Sequence, residues 1–308
     1  MESFNMVIGC SYYYLSLKIN HTDSRTPMAH RADSHIHLIE NGFDGFFTGR
    51  PGVNVDEVKC YDSLAREHDV VATLIIGFEG APGYVGNNDY LARIKPKYSW
   101  IQPMAYVNPL TPPTLSDLER WQQQGFVGLV MYTRPEQDAA LPNVPEAIWA
   151  WLAERHWLIS VVVKGGDWSA WNPILDRHRS LRLVIGHMGS PPRTSSPPSP
   201  DQASIALSKV IALSKYPGVQ VKLSGFYGIT EPRHDYPHTA AWPYVQVLAD
   251  AFGVERLLWG SDYTPCLDWL TFPQTYNLFY KMPFFSKQDC EQIIGLNLLR
   301  TLNEVTGS

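Results

Sequence analysis

Cysteine is scarce in this sequence of 308 residues, and so are long apolar runs and any excess of basic charge. The four cysteines, Cys10, Cys60, Cys266 and Cys290, lie far apart and form no C-x-x-C pair. Isolated cysteines in a chain of this length are typical of reduced, buried thiols rather than of a disulfide framework. We therefore expect a cytoplasmic location.

Charge and hydropathy exclude two further classes of protein. A formal net charge of −5 and a pI of about 6.0 argue against a nucleic-acid binder, which needs a basic surface. No apolar stretch approaches the roughly 18 residues that a membrane span requires. A hydrophobic fraction of 44% with 18% charged residues is typical of a globular enzyme with a large core. We expect a small-molecule substrate, with a homodimer as the default assembly.

The first 31 residues differ in character from the rest. Residues 1–27 lack the basic start of a secretory signal, and polar residues interrupt their apolar stretch. Three interpretations remain: a poorly ordered extension, an element packed on the domain, or an upstream start with Met28 as the natural one. We favour an accessory extension over residues 1–31, followed by one domain over residues 32–308.

From residue 32 onward, eight short apolar runs alternate with amphipathic segments. The runs are rich in Val, Ile and Leu and are bounded by turn residues, as buried parallel strands are. We predict strands at 32–38, 70–77, 101–107, 127–132, 158–163, 181–186, 219–224 and 256–260. We predict helices at 55–68, 115–124, 145–156, 201–215, 239–252 and about 286–304. Strict alternation implies parallel pairing with right-handed crossovers, and eight units close most simply as a (β/α)₈ TIM barrel.

A doubly wound open sheet is the alternative architecture. It is disfavoured because no G-x-G-x-x-G follows the first strand, and because reactive side chains follow strands scattered along the chain. One segment breaks the alternation: residues 189–200 contain five prolines and four serines and cannot form a helix or a central strand. This segment is either an exposed loop or a lid over the barrel mouth.

The clearest candidate site is the sequence Asp33-Ser34-His35-Ile36-His37 on the first predicted strand. Alternate side chains of a strand share a face, so that His35 and His37 lie side by side. Two neighbouring imidazoles form half of a metal site. The alternative is a pair of histidines held by local hydrogen bonds.

Two further strands end in residues that can carry out acid–base chemistry. The sixth predicted strand ends at His187, whose ordinary pKa suits proton transfer near neutrality. The eighth ends at Asp262, which can bind a metal or take a proton from an attacking water. The alternative for Asp262 is an N-cap, which the following Pro265 and Cys266 disfavour because no helical pattern begins there.

Three cations complete the set of candidate residues. On the seventh predicted strand, Lys222 faces the barrel interior, where it needs an anion such as Asp262 or a substrate carboxylate, unless it extends to solvent. Lys164 and Arg134 follow the fifth and fourth strands, where the mouth is expected. Either can bind a substrate carboxylate, or be a solvated loop charge.

Taken together, these motifs resemble the amidohydrolase superfamily, in particular the lactonase-type members of its amidohydrolase-2 branch. The resemblance rests on D-S-H-I-H, V-I-G-H-M-G, V-K-L-S-G, L-L-W-G-S-D-Y and I-I-G-L-N-L-L-R, in that order along the chain. It implies a distorted TIM barrel in which His35 and His37 are the metal-ligand pair of strand one. It also implies that His187 contacts the substrate and that Asp262 activates water and ligates the metal.

One position departs from the metal-rich members of the superfamily. Those proteins carry a metal-binding residue at the end of strand five, where this sequence has Val163 and Lys164 but no histidine. A binuclear site is therefore not expected. Either one divalent ion, with zinc the expected one, or none at all is compatible with the resemblance, and we favour one ion.

The sequence therefore predicts a hydrolase that acts on a lactone or another carboxylic ester or amide of a small organic acid. The first alternative is a metal-dependent, non-oxidative decarboxylase of an aromatic or muconate-type acid, against which the missing strand-five histidine argues. The second is a barrel without catalytic activity that serves in binding.

Overall fold

The apolar runs form eight parallel strands in the part of the chain described by a computed structural model, residues 30–40, 42 and 55–307. Neighbours pair in sequence order from the first strand to the eighth. The strands are β1 (Arg31–Ile36), β2 (Val70–Ile76), β3 (Ile101–Tyr106), β4 (Gly128–Thr133), β5 (Leu158–Val163), β6 (Arg182–Ile185), β7 (Val219–Leu223) and β8 (Leu257–Trp259). Each overlaps its predicted run, and the predicted TIM barrel is confirmed.

Helices connect the strands and cover the outside of the barrel. They are α1 (Glu57–Glu67), α2 (Asn87–Ile94), α3 (Leu115–Gln123), α4 (Pro135–Ala140), α5 (Glu146–Glu154), α6 (Asn172–Arg177), α7 (Pro200–Ala206), α8 (Ser208–Ile211), α9 (Phe226–Ile229), α10 (Trp242–Phe252), α11 (Gln274–Asn277), α12 (Lys287–Glu291) and α13 (Asn297–Thr306). The predicted helix at 201–215 is divided at Leu207 into α7 and α8. The last predicted helix begins with a capped turn, in which Ser286 Oγ accepts a hydrogen bond from the backbone N–H of Asp289.

Helix α13 closes the N-terminal end of the barrel. Its Leu298 and Leu302 are buried with side chains of the barrel interior. The interior side chains in this cluster are Ala32, Ala72, Leu74, Ile76, Met104, Val127, Val130, Leu158, Val184 and Leu258. A π-helical turn, Gln292–Leu296, precedes α13 and brings Gly295 against the backbone of β1, where an added Cβ would lie 2.1 Å from the carbonyl oxygen of His30. The opposite, C-terminal end is therefore left for chemistry, as in other barrels of this type.

The barrel closes where β8 meets β1, through backbone contacts of the candidate site residues. A parallel bridge joins Ile36 to Tyr263. The backbone N–H of His37 donates to the carbonyl of Tyr263 at 2.7 Å. The backbone N–H of Asp262 donates to the carbonyl of His35 at 2.8 Å. Closure of the barrel and assembly of the site therefore depend on the same hydrogen bonds.

A buried carboxylate reinforces this closure. One oxygen of Asp33 accepts hydrogen bonds from the backbone N–H of Ser261 at 2.9 Å and of His35 at 3.1 Å. Its other oxygen accepts from the hydroxyl of Tyr61 at 2.9 Å. Burial raises the pKa of Asp33 to about 6, although these hydrogen bonds oppose the change. Asp33 thus ties the backbone of strand one to that of strand eight.

The proline-rich segment at residues 189–200 packs against the turn that follows β7. Thr194 donates from its backbone N–H to the carbonyl of Ile229 at 2.8 Å, and Glu231 returns a bond to the carbonyl of Thr194 at 2.9 Å. Arg193 Nε also donates to the carbonyl of Gly228. These bonds fix the segment along the turn after β7, next to the strand end that carries His187.

Parts of the sequence-based prediction fall on residues outside the described ranges. The proposed extension at residues 1–31 lies outside them except for its last two residues, and Arg31 already belongs to β1. Cys10 lies outside them as well, whereas Cys60, Cys266 and Cys290 are free thiols. No helix in the described part of the chain has the length and apolar character needed to cross a membrane.

Candidate active site

Four side chains meet at the C-terminal end of the barrel, as the sequence predicts. The Nε2 atoms of His35 and His37 lie 3.3 Å apart. Oδ1 of Asp262 lies 3.7 Å from the first of these nitrogens and 3.9 Å from the second. The ring of His187 lies against that of His35, with centroids 4.5 Å apart. Residues from β1 and from the ends of β6 and β8 thus form one cluster.

Unusual backbone conformations direct two of these side chains into the cluster. His187 has φ of 47° and Asp262 has φ of 62°, a left-handed region that non-glycine residues adopt infrequently. Such conformations concentrate at functional sites, where the surrounding structure maintains them. Asp262 is held on both sides, since its N–H donates to His35 and its carbonyl accepts from the N–H of Cys266.

The turn after β7 holds the ring of His187. Ser224 Oγ lies 3.0 Å from Nδ1 of His187, within hydrogen-bond distance. Gly225 packs against the other side of the turn, where an added Cβ would lie 2.7 Å from the same nitrogen. With φ of 68°, this position also favours glycine on conformational grounds. The ring therefore has little freedom to rotate.

Burial favours the neutral form of all three histidines. Burial lowers the pKa of His35 well below its ordinary value, and the nearby charges of His187, Lys222 and His37 lower it further. Burial lowers the pKa of His37 to about 4, against the opposing charge of Asp262. The pKa of His187 is lowered by the same cause. Neutral imidazole is the form that binds metal ions.

The donor set fits a divalent ion. Ligand atoms of His35, His187 and Asp262 all lie within 4.8 Å of one another, and His37 Nε2 faces two of these residues. Because Nδ1 of His37 donates to the carbonyl of Ile76 at 3.0 Å, the lone pair of its neutral ring lies on Nε2. Such a bond to the far nitrogen is the usual support of a metal-binding histidine. Nitrogen and carboxylate ligands of this kind suit zinc.

Lys222 lies in the barrel interior, as predicted, and is fully buried. Its Nζ donates to Ser160 Oγ on β5 at 2.8 Å. Burial lowers the pKa of Lys222 to about 7, although the carboxylates of Asp33 and Asp262 favour its charged form. The protein therefore keeps, within the electrostatic field of the histidines, a lysine whose charged form is disfavoured by burial.

Tyr227 is a member of the site that sequence reasoning missed. Its hydroxyl donates to Oδ2 of Asp262 at 2.5 Å. Burial and the charge of Asp262 raise the pKa of this phenol well above its ordinary value, so that it acts as a donor. Tyr227 lies in α9, a single turn that carries no periodic pattern in the sequence. The sequence does place Tyr227 just beyond the end of a strand, three residues after Ser224, and this position could have indicated a place at the barrel mouth.

A cavity of about 200 Å³ is lined by the two remaining predicted cations. Its wall is aromatic, formed by Phe78, Tyr106 and Tyr132, which sequence reasoning also missed. Arg134 and Lys164 line it with the acid Glu136 and polar residues. The cavity lining also includes Gly80, Asn108 and Gln137.

Electrostatic effects link this cavity to the histidine cluster. Lys164 Nζ lies 5.1 Å from the centroid of the Tyr132 ring. Burial lowers the pKa of Lys164, the neighbouring Arg134 lowers it further, and Asp262 opposes the change. Burial followed by the charge of Asp262 raises the pKa of Tyr132. The charge of Asp262 therefore affects the pKa of both Lys164 and Tyr132.

A larger cavity, of about 320 Å³, lies at the opposite end of the barrel. Four arginines line it, and three of them bind partners within the protein. Arg256 donates to backbone carbonyls, Arg182 pairs with Glu304 at 2.5 Å, and Arg300 donates to the carbonyl of Glu255. Residues at this end of a barrel typically contribute to stability, and we assign that role to these contacts.

Comparison with known sequences gives a family and one curated relative. Residues 32–303 match the amidohydrolase family. The L-fucono-1,5-lactonase of Burkholderia ambifaria is 37% identical to this chain over 87 residues, a match that covers 28% of this chain. The chain also spans only 28% of the length of that relative.

Solved structures share the fold over nearly their whole length. An amidohydrolase from Burkholderia multivorans with bound zinc has a TM-score of 0.66 at 18% identity, over 89% of this chain and 99% of that chain. A protein from Pseudomonas putida named as a candidate 2-pyrone-4,6-dicarboxylic acid hydrolase has a TM-score of 0.66 at 18% identity, over 90% of this chain and 98% of that chain. At these identities the likeness shows the fold.

Proposed function

Because this chain belongs to the amidohydrolase family and is a hydrolase enzyme, we propose that it opens a lactone, or cleaves a related ester or amide, of a small organic acid. Its being an enzyme of this family argues against the alternative of a barrel used only in binding. The observation that carries the proposal is the cluster of one carboxylate and three imidazoles at the barrel mouth, beside a cavity with two cations.

The residues divide the reaction between them. Asp262 takes a proton from water, whose oxygen then attacks the substrate carbonyl. His187, held by Ser224, stabilises the oxyanion that develops on the carbonyl oxygen. The bond between the carbonyl carbon and the ring oxygen then breaks, and the proton held by Asp262 passes to that departing oxygen. Water is added overall, which gives a hydroxy acid.

We propose that His35 and His37 hold a divalent ion together with Asp262, and that the ion is zinc. Such an ion, when bound, polarises a carbonyl and makes water more acidic. The zinc-bound amidohydrolase of the same fold and the nitrogen–oxygen donor set support this proposal. The three ligands come from β1 and from the residues that follow β1 and β8. The junction between these two strands would therefore position the ion.

The cavity favours an anionic, flat substrate. Arg134 and Lys164 both reach this cavity, which contains one acid, Glu136. A carboxylate there would be bound by charge, and Arg can bind it through two hydrogen bonds. The faces of Tyr106 and Tyr132 offer an apolar wall for a conjugated ring. We therefore propose a lactone that carries at least one carboxylate, with Lys222 acting below the site through its charge rather than by direct contact.

A panel of lactones tests this proposal. L-Fucono-1,5-lactone represents neutral sugar lactones, and 2-pyrone-4,6-dicarboxylate represents flat, carboxylated ones. We expect ring opening, which proton release and chromatography would both detect. The carboxylated compound should have the higher kcat/KM. A panel that stays intact, together with carbon dioxide release from aromatic acids, would instead support the decarboxylase alternative.

Asp262→Asn tests the assignment of the base. The amide keeps the size of the side chain but cannot accept the proton, so that turnover should fall below about a tenth of the wild-type rate. Unchanged far-UV circular dichroism and thermal midpoint would show that the fold is intact. A variant that retains more than this tenth would exclude Asp262 as the base.

A further inference from the structure

The two oxygens of the Asp262 carboxylate have separate partners. Oδ1 faces the Nε2 atoms of His35 and His37, at 3.7 and 3.9 Å. Oδ2 accepts the hydroxyl hydrogen of Tyr227 at 2.5 Å. The two oxygens are chemically equivalent, but a hydrogen bond at one of them holds the plane of the carboxylate. The bond at Oδ2 therefore keeps the other oxygen facing the histidines.

The turn that carries Tyr227 is itself fixed. β7 ends at Leu223, and the backbone then passes through Gly225 in a left-handed conformation into α9. Thr230 Oγ1 donates to the carbonyl of Phe226, and Arg193 Nε donates to that of Gly228. Because both ends of the turn are bonded, the backbone that carries Tyr227 is held in place.

The backbone of Asp262 is also fixed, which leaves its side-chain rotation as the remaining freedom. Its N–H and its carbonyl are both bonded, to His35 and Cys266, and its φ is 62°. Rotation about the Cα–Cβ and Cβ–Cγ bonds would move Oδ1 away from the histidines. The hydrogen bond that Tyr227 donates to Oδ2 opposes such a rotation.

We infer that Tyr227 is a positioning residue: it binds Oδ2 of Asp262 so that Oδ1 alone receives the proton from water and faces the metal-ligand pair. The inference rests on the proposed function, because it takes Asp262 as the base. It adds a residue from the turn after β7 that acts through Asp262. The same turn also carries Ser224, so that one short segment orients both Asp262 and His187.

Tyr227→Phe removes the hydroxyl and leaves the ring. We expect kcat for the best lactone of the panel to fall about 10- to 100-fold, with KM changed less than about twofold, because substrate contacts remain while the base loses its orientation. Zn²⁺ affinity, measured by competition with a chromophoric chelator, should weaken by about 10- to 100-fold, the range found when a partner of a metal ligand is removed.

Tyr216→Phe is the matched control. Tyr216 also donates its hydroxyl to an aspartate, Asp176, at 2.7 Å, but it lies at the other end of the barrel. The Tyr216→Phe variant should lose about as much thermal stability as Tyr227→Phe. Its kcat, KM and Zn²⁺ affinity should stay at wild-type values. If both variants lost activity in proportion to their loss of stability, Tyr227 would be a structural residue and the inference would be wrong.

The inference and the proposed function fail separately. If Asp262→Asn abolished turnover while Tyr227→Phe kept more than half of the wild-type kcat and the full Zn²⁺ affinity, the base would stand and the positioning role would be overturned. If no lactone were turned over, the proposed function would fail, and the Zn²⁺ competition alone would decide the role of Tyr227.

Discussion

Replacing the buried lysine of the barrel interior should stabilise the protein, and by an amount that depends on pH. Lys222 is fully buried, and its pKa falls from 10.5 to about 7 on folding. The unfolded chain therefore binds more protons than the folded one between these values, so that stability rises with pH across this window. Below pH 7 the folded protein carries the whole cost of burying the charge.

The magnitude follows from the two pKa values. Each pKa unit corresponds to about 1.4 kcal/mol, so that at pH 6 the lysine lowers the free energy of unfolding by about 4–5 kcal/mol relative to a neutral side chain. At pH 9 the folded lysine is neutral and the cost falls to about 2 kcal/mol. Lys222→Met also leaves Ser160 Oγ without its partner, but that cost of about 1–3 kcal/mol does not depend on pH.

Urea denaturation of the wild type and of Lys222→Met at pH 6 and pH 9 measures the effect. We expect the stability difference between the two proteins to shrink by about 2–3 kcal/mol from pH 6 to pH 9. Ser160→Ala is the control, because it removes the partner hydroxyl and keeps the lysine. A difference that is the same at both pH values would refute the reasoning, since it would mean that the buried lysine titrates near its ordinary pKa.

The remaining predictions concern substrate charge and metal. Arg134→Ala should raise KM for the carboxylated lactone about tenfold with little change in kcat and no effect on a neutral lactone, as steady-state kinetics would show. An equal effect on both lactones would exclude Arg134 as the carboxylate contact. Elemental mass spectrometry of protein purified without added metal should find about one divalent ion per chain, and activity should be lost on chelation and restored by zinc. Full activity in metal-free protein would instead assign His35 and His37 to direct polarisation of the carbonyl.

The arrangement of strands was predictable because strand cores and strand ends have different compositions here. Apart from Ser160 and Arg182, the runs around Val161 and Val184 are apolar, as is typical of strands buried on both faces. Residues that end such strands on one side of a parallel barrel must share its mouth, so that His187 and Asp262 could be placed together from sequence alone. The inward orientation of Lys222 followed from the alternation of side chains along β7.

The residues that sequence reasoning missed depend on loop geometry. Tyr227 reaches Asp262 through a single turn whose direction is set by the positive φ of Gly225, and no periodicity encodes such a turn. Tyr106 and Tyr132 occupy strand positions that also suit an ordinary core, so that their part in the cavity wall emerges only when the loops enclose it. The position of the proline-rich segment likewise depends on its hydrogen bonds to the turn that carries Gly228, which no pattern in the sequence indicates.

The seam between β8 and β1 has a consequence for how the enzyme acquires its activity. The bond from Ser261 to Asp33 joins residues 228 positions apart, so that it connects two strands that are distant along the chain. A folding intermediate that is open at this seam has the histidine pair and the aspartate on separate edges and cannot hydrolyse anything. A ligand that bridges them would resist local opening there by mass action. Catalytic competence thus depends on closure of the barrel, because the same contacts close it and assemble the site.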